Sequence, residues 1–320
     1  MREPVFRDVL EARKRIKPYL LRTPLLSYGG LSKLLGCNIY VKHENVNPTG
    51  AFKIRGGINL VSQLSPEERE RGVITASTGN HGQSIALASK IFGAKAIICV
   101  PWASNPDKLA EIRRLGAQII EEGREYEDAK LHAERVAEEE GYRYIHSGNE
   151  PHLIAGVATY TLEILEEQPA LDYLFVPVGG GSGASGAGIV IDSISPETKL
   201  IGVQSEKAPS VYLSWREGEI VSTESADTMA DGLATRRAFK LPLRIIRKHL
   251  DDFVLVSEEA IKRAINTYVE EAHTIAEGAG AAPLAAALKI KDRLQDKKVG
   301  LVLSGGNLTS ESLKEILNNY

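Results

Sequence analysis

Val73-Ile74-Thr75-Ala76-Ser77-Thr78-Gly79-Asn80-His81-Gly82-Gln83 runs from an apolar, β-branched stretch directly into a polar loop, and from there into a helical pattern. The apolar residues are contiguous rather than alternating, as a strand covered on both faces requires. Strand, loop and helix in immediate succession form the unit of an α/β protein with a parallel sheet. Outward from this stretch the unit recurs. Strands are expected at 38–43, 73–76, 96–100, 118–120, 142–145, 173–178, 200–204, 253–256 and 299–303, with helices at 83–92, 108–115, 125–140, 154–166, 258–271 and 281–291. Start signals such as Ser65-Pro66-Glu67-Glu68 and Ser257-Glu258-Glu259 mark helix N-termini.

A chain of 320 residues fits two domains better than one. The uninterrupted β-α run at 72–148 is expected to form a small α/β domain. Residues 1–71 and 149–320 would then build a discontinuous larger domain, with a site in the cleft between them at the C-terminal ends of strands. A net charge of -3 offers no electrostatic footprint for nucleic acid or an anionic membrane. No apolar run approaches the roughly 18 residues of a membrane span. The N-terminus, Met1-Arg2-Glu3-Pro4-Val5-Phe6-Arg7-Asp8, lacks a signal-peptide core, so a cytoplasmic location is expected. Cys37 and Cys99 lie in apolar runs and read as buried thiols rather than a disulfide or a nucleophile. The seven histidines show no metal-ligand spacing, and no metal site is expected.

Four segments carry chemistry. In Asn47-Pro48-Thr49-Gly50-Ala51-Phe52-Lys53-Ile54-Arg55-Gly56-Gly57 a turn delivers Lys53 to the start of a helix, beside an aromatic ring. A cation is unfavourable at a helix N-terminus, which favours the neutral amine that attacks carbonyls. Taken alone, a solvated lysine opening a helix explains this as well. The loop Ser77-Thr78-Gly79-Asn80-His81 puts hydroxyls, an amide and backbone N–H groups at a helix N-terminus, an anion site suited to a carboxylate. An ordinary helix cap needs one such residue, not four. The loop Val178-Gly179-Gly180-Gly181-Ser182-Gly183 separates a strand from a helix and lets the backbone wrap a phosphate. Finally, Ser304-Gly305-Gly306-Asn307 follows the last strand and offers a hydroxyl to a ring nitrogen, although Ser-Gly-Gly is also common turn chemistry.

The glycine loop also satisfies a dinucleotide pattern through Gly181, Gly183 and Gly186, with Glu206 where a ribose-binding acid would stand. A nicotinamide-dependent oxidoreductase therefore competes, but it leaves the other three segments idle. An amine, a carboxylate site, a phosphate site and a hydroxyl for a ring nitrogen together match pyridoxal 5'-phosphate with an amino acid.

In this combination the chain resembles the fold type II, tryptophan synthase β-like pyridoxal-phosphate enzymes, and within them the serine/threonine dehydratase (threonine ammonia-lyase) family that includes serine racemases. The likeness runs from Arg22-Thr23-Pro24-Leu25 to Ser304–Asn307. It implies a two-domain α/β fold with largely parallel, helix-covered sheets and the active site in the interdomain cleft. It implies that Lys53 forms the Schiff base with the cofactor and removes the substrate Cα proton, that Phe52 packs on the cofactor ring, and that Asn80 meets the 3′-oxygen. By the same likeness Ser77, Thr78, Gly79 and His81 hold the substrate carboxylate, with Ser77 and Thr78 among the catalytic groups. Gly179, Gly180, Gly181, Ser182 and Gly183 hold the phosphate, Ser304 faces the ring nitrogen, and Glu277 lies near the ring.

The implied reaction is β-elimination and deamination of L-threonine or L-serine to a 2-oxo acid and ammonia, by a homodimer or higher homo-oligomer. Ser182 stands where the family usually has a fourth glycine, and its hydroxyl would join the phosphate contacts. Thr78 replaces the serine that racemases use as a second base, which makes racemisation a side activity. The family's divalent-cation positions read as Gln204 and Ser210, so a metal there is not expected. The chain ends at Tyr320, without room for a C-terminal regulatory domain, which suggests a catabolic enzyme free of feedback inhibition. A 3-hydroxyaspartate lyase is an alternative, with Arg55 and Arg236 as cations for the second carboxylate. A β-replacement synthase and a non-catalytic amino-acid-binding protein fit less well, the former because of His81 and the latter because of Lys53.

Overall fold

A computed structural model describes residues 1–102 and 104–319. Its strands are β1 (Leu25–Ser27), β2 (Asn38–His43), β3 (Val73–Ala76), β4 (Ala96–Val100), β5 (Gln118–Glu121), β6 (Arg143–Tyr144), β7 (Tyr173–Pro177), β8 (Lys199–Ser205), β9 (Asp252–Val256) and β10 (Lys298–Leu303). They form two sheets, ordered β1-β2-β10-β7-β8-β9 and β5-β4-β3-β6. Every pairing is parallel except β1 with β2. The central strands match the sequence reading to within a residue or two. The antiparallel edge strand β1 was not anticipated: at three residues, with Leu26 and Ser27 exposed, it has no buried pattern to betray it.

Alternation along the strands shows why these apolar runs lie inside sheets covered on both faces. On β10, Val299, Leu301 and Leu303 enter one core with Phe175 and Ile201. Val302 enters the opposite core with Leu174 and Val176. The smaller sheet repeats this: Val73 and Ile98 face one way, and Ile74 and Cys99 the other. Cys37 and Cys99 are both buried free thiols, and burial raises each pKa to about 11.

Helix Lys53–Val61 is wedged between helices Asn80–Phe92 and Pro151–Val157, and its two glycines explain how. A Cβ on Gly57 would stand 2.8 Å from the Ser84 carbonyl oxygen, and one on Gly56 3.0 Å from that of Leu153. Backbones therefore approach directly, and every residue from Ile54 to Val61 is buried. The single helix expected at 154–166 is instead two, Pro151–Val157 and Thr159–Glu167. At the break the Thr159 hydroxyl donates to the Gly156 carbonyl at 2.7 Å, competing for a helical acceptor.

Candidate active site

The turn before Lys53 depends on Gly50, whose φ of 65° lies in the left-handed region and whose Cβ would meet Asn307 Oδ1 at 2.2 Å. The loop after β10 is joined to this turn. Phe52 N donates to Ser304 O at 3.0 Å, Gly306 N to Gly50 O at 2.9 Å, and Asn307 Nδ2 to Thr49 O at 2.9 Å. Ser304 thus stands beside the start of the Lys53 helix. It is 2% exposed, and its hydroxyl has no hydrogen-bond partner among the described residues.

Lys53 Nζ donates to Ser182 Oγ at 3.0 Å and lies 5.2 Å from the centre of the Phe52 ring. No carboxylate pairs with it among the described residues, and burial lowers its pKa from 10.5 to about 8. Ser182 opens helix Ser182–Ile194 directly after the glycine loop. Gly181 caps that helix with φ 84°, a conformation that favours glycine. A Cβ on Gly179 would stand 2.0 Å from the Gly232 carbonyl, and one on Gly180 2.7 Å from the Phe239 ring. Gly183 faces Tyr160 and the Phe52 ring, and its carbonyl accepts from the Tyr160 hydroxyl at 3.0 Å.

From the smaller sheet, the loop after β3 brings Ser77, Thr78, Gly79, Asn80 and His81 to the same place. Asn80 Nδ2 donates to Glu277 Oε1 at 2.8 Å, and Asn80 Oδ1 accepts from Asn307 Nδ2 at 2.7 Å. These bonds fix the amide's orientation and leave one of its N–H groups uncommitted. Burial raises the Glu277 carboxyl pKa from 4.5 to about 7, against the lowering effect of the Asn80 bond. Ser77 Oγ accepts from the backbone N–H of Gly82 at 3.0 Å and of Gly79 at 3.3 Å. It therefore acts as a cap, and what it has left to offer a carboxylate is its hydroxyl proton. The Thr78 side chain makes no hydrogen bond among the described residues.

The tautomer of His81 follows from its neighbours. The Thr75 hydroxyl donates its one proton to Ile145 O at 2.6 Å, so at 3.1 Å it accepts from His81, whose proton must sit on Nε2. Burial, followed by the charge of Lys53, lowers the His81 pKa to about 3 and keeps the ring neutral.

A profile of the pyridoxal-phosphate dependent enzyme family matches residues 16–305. The chain belongs to this family. It is 43% identical over 311 residues to an L-threonine ammonia-lyase of Thermotoga maritima, covering 97% of this chain and 77% of that one. It is 40% identical over 305 residues to an L-threo-3-hydroxyaspartate ammonia-lyase of Saccharomyces cerevisiae, covering 95% and 94%. Its structure superposes on that of maize serine racemase with a TM-score of 0.94 at 32% identity, over 99% and 98% of the two chains.

The residues present fit the family's cofactor. A desolvated amine without a counter-ion faces a glycine loop at a helix N-terminus, and the unpartnered Ser304 hydroxyl stands on the adjoining strand end. The dinucleotide alternative fits poorly. Gly186 packs closely, its Cβ position 2.8 Å from Ala158 Cα, a role that a dinucleotide fingerprint shares and that does not discriminate. Glu206 pairs instead with Lys289 at 3.1 Å.

Sequence reasoning missed the buried ion cluster behind Lys53. Arg55, 1% exposed, makes two bonds to Glu44, at 2.7 and 2.8 Å, and two to Glu163, at 2.7 and 2.8 Å. Lys42 donates to Glu163 Oε2 at 2.6 Å. Arg55 is therefore committed to structure, which removes it as a candidate for a second substrate carboxylate. Arg236 is exposed and pairs with Glu125 at 2.9 Å. Gln204 Oε1 accepts from Tyr212 N at 3.1 Å, and the Ser210 hydroxyl donates to Thr235 O.

Proposed function

We propose that the protein is a pyridoxal-phosphate-dependent ammonia-lyase that converts L-threonine or L-serine to a 2-oxo acid and ammonia. The observation that carries this reading is the Lys53 amine, desolvated and aimed at Ser182 on the glycine loop. The ammonia-lyase relatives support it.

Lys53 would hold the cofactor through its amine, Gly179 to Gly183 its phosphate, Ser304 its ring nitrogen, Asn80 its 3′-oxygen, and Phe52 one face of its ring. Bound there, pyridoxal phosphate supplies the electron sink that lets the substrate's Cα–H bond break heterolytically. Once the substrate's amino group has taken its place on the cofactor, the freed Lys53 amine, whose pKa burial lowers to about 8, takes the Cα proton. The Ser77 and Thr78 hydroxyls and the backbone N–H group of His81 orient the substrate carboxylate, with Gly79 in the loop between them. His81, held neutral, adds no charge that would trap it. Glu277 fixes Asn80 and hence the angle from which Asn80 meets the ring oxygen. The β-hydroxyl leaves as water, and the freed enamine takes up water and releases ammonia.

The reading places the site between a small domain of residues 72–148 and a larger one built from 1–71 and 149–320, in a cytoplasmic homo-oligomer, as the likeness suggests. No helix of the described residues is long and apolar enough to cross a membrane. The test is product formation by the holoenzyme supplied with L-threonine or L-serine. Equal amounts of 2-oxo acid and ammonia are expected. Appearance of the D-amino acid without 2-oxo acid would contradict the reading.

A further inference from the structure

A pair of charges joins elements of the two sheets near Glu277. Lys108 belongs to helix Pro106–Arg114 on the smaller sheet, and Asp231 to the short 3-10 turn Asp231–Leu233 between β8 and β9. Lys108 Nζ donates to Asp231 Oδ2.

Two independent contacts locate the pair. On the Lys108 side, Ile112 Cδ1 lies 3.3 Å from where a Gly82 Cβ would stand, so this face of the helix rests on the first turn after the Ser77–His81 loop. Lys108 is four residues earlier on the same face, about 6 Å or roughly one turn toward the helix N-terminus. On the Asp231 side, the position of a Gly232 Cβ is 3.7 Å from Glu277 Oε1, and the Gly232 carbonyl is 2.0 Å from that of a Gly179 Cβ. Asp231 therefore sits at the rim, between the glycine loop and the residue that fixes Asn80. The Lys108 side chain is 23% exposed and that of Asp231 69%, so the pair is reached from solvent.

The other cations considered for a second carboxylate are committed. Arg55 is enclosed by Glu44 and Glu163, Arg236 pairs with Glu125 at the surface, and Lys53 is reserved for the cofactor. A second carboxylate on the substrate's β-carbon would meet a free Lys108 favourably. It would meet Asp231 unfavourably, since like charges brought together discriminate against a ligand.

We propose that Lys108 and Asp231 set the charge selectivity of the site, with Asp231 holding Lys108 so that acidic β-hydroxy amino acids are disfavoured against uncharged ones. Removing the Asp231 charge releases Lys108 as the receptor for a β-carboxylate. This rests on the reading of the site as a β-hydroxy-amino-acid lyase.

The test compares kcat/KM of the holoenzyme for L-threo-3-hydroxyaspartate and L-threonine. In Asp231→Asn the hydroxyaspartate-to-threonine ratio is expected to rise about tenfold or more, mainly through KM for hydroxyaspartate. Adding Lys108→Gln to that variant is expected to abolish the gain. Asp231→Ser serves equally should the asparagine variant not fold. A ratio that stays at its wild-type value in the Asp231 variants, or a gain that survives loss of Lys108, overturns the proposal and leaves the lyase reading standing. A wild-type holoenzyme that releases no 2-oxo acid from either substrate overturns both.

Discussion

Lys53 Nζ and Ser182 Oγ are 3.0 Å apart, which places the amine of one helix N-terminus on the first residue of another. Both helix ends carry partial positive charge, and no acid among the described residues pairs with the amine, so its neutral form is favoured. Burial moves its pKa down to about 8. Uptake of pyridoxal phosphate by the cofactor-free protein should therefore accelerate as pH rises through about 8, the range in which the amine loses its proton. Stopped-flow absorbance checks this, and a rate that keeps climbing toward pH 10 would place the amine in an ordinary solvated setting. Ser182→Ala removes one hydroxyl from the loop, and about tenfold weaker cofactor retention is expected, the effect of one hydrogen bond to a charged group.

Glu277 titrates in the opposite sense. Its folded pKa of about 7 lies above the ordinary 4.5, so the folded state binds more protons between those values. The carboxyl's contribution to stability is complete below about pH 4.5 and is lost as pH rises through about 7. Glu277→Gln keeps an acceptor for Asn80 and removes the titration. The cofactor-free variant is expected to gain on the order of 1–3 kcal/mol relative to wild type between pH 5 and pH 8. Parallel urea unfolding curves at the two pH values measure it, and an unchanged difference would mean that Glu277 is solvated.

Arg55→Met leaves Glu44, which is fully buried, without its cation and leaves Glu163 with Lys42 alone. A loss of about 3–5 kcal/mol is expected, because the Glu44 carboxylate remains inside uncompensated. Thermal unfolding reads this directly. A variant as stable as wild type would show that the cluster is not a structural unit.

Gly179→Ala forces a methyl group onto the Gly232 carbonyl, at a separation of 2.0 Å, and neither backbone has a flexible end to move. The glycine loop must shift, and the variant is expected to purify without bound cofactor while its far-ultraviolet circular dichroism stays that of wild type. Retained cofactor would separate the glycine loop from phosphate binding.

The strands were legible because the two-sided cores demand contiguous apolar residues, as at Val73–Ala76 and Lys298–Leu303. The loops were legible because each must supply polar or glycine chemistry at a strand end. What the sequence hid is the cross-chain pairing. Arg55 looks like a free cation two residues after Lys53, and only the fold brings Glu44 and Glu163 around it. His81 gives no hint of its tautomer until Thr75 and Ile145 are placed beside it. Lys108 and Asp231 are 123 residues apart, with nothing in their local sequence to join them.

Every other role at the site depends on Lys53 carrying the cofactor. The direct measurement is borohydride reduction of the holoenzyme followed by peptide mass spectrometry. One reduced pyridoxal phosphate group is expected on the peptide containing Lys53, with no such label in Lys53→Ala. A label on another lysine, or a wild-type protein that takes up no pyridoxal phosphate, would contradict the account.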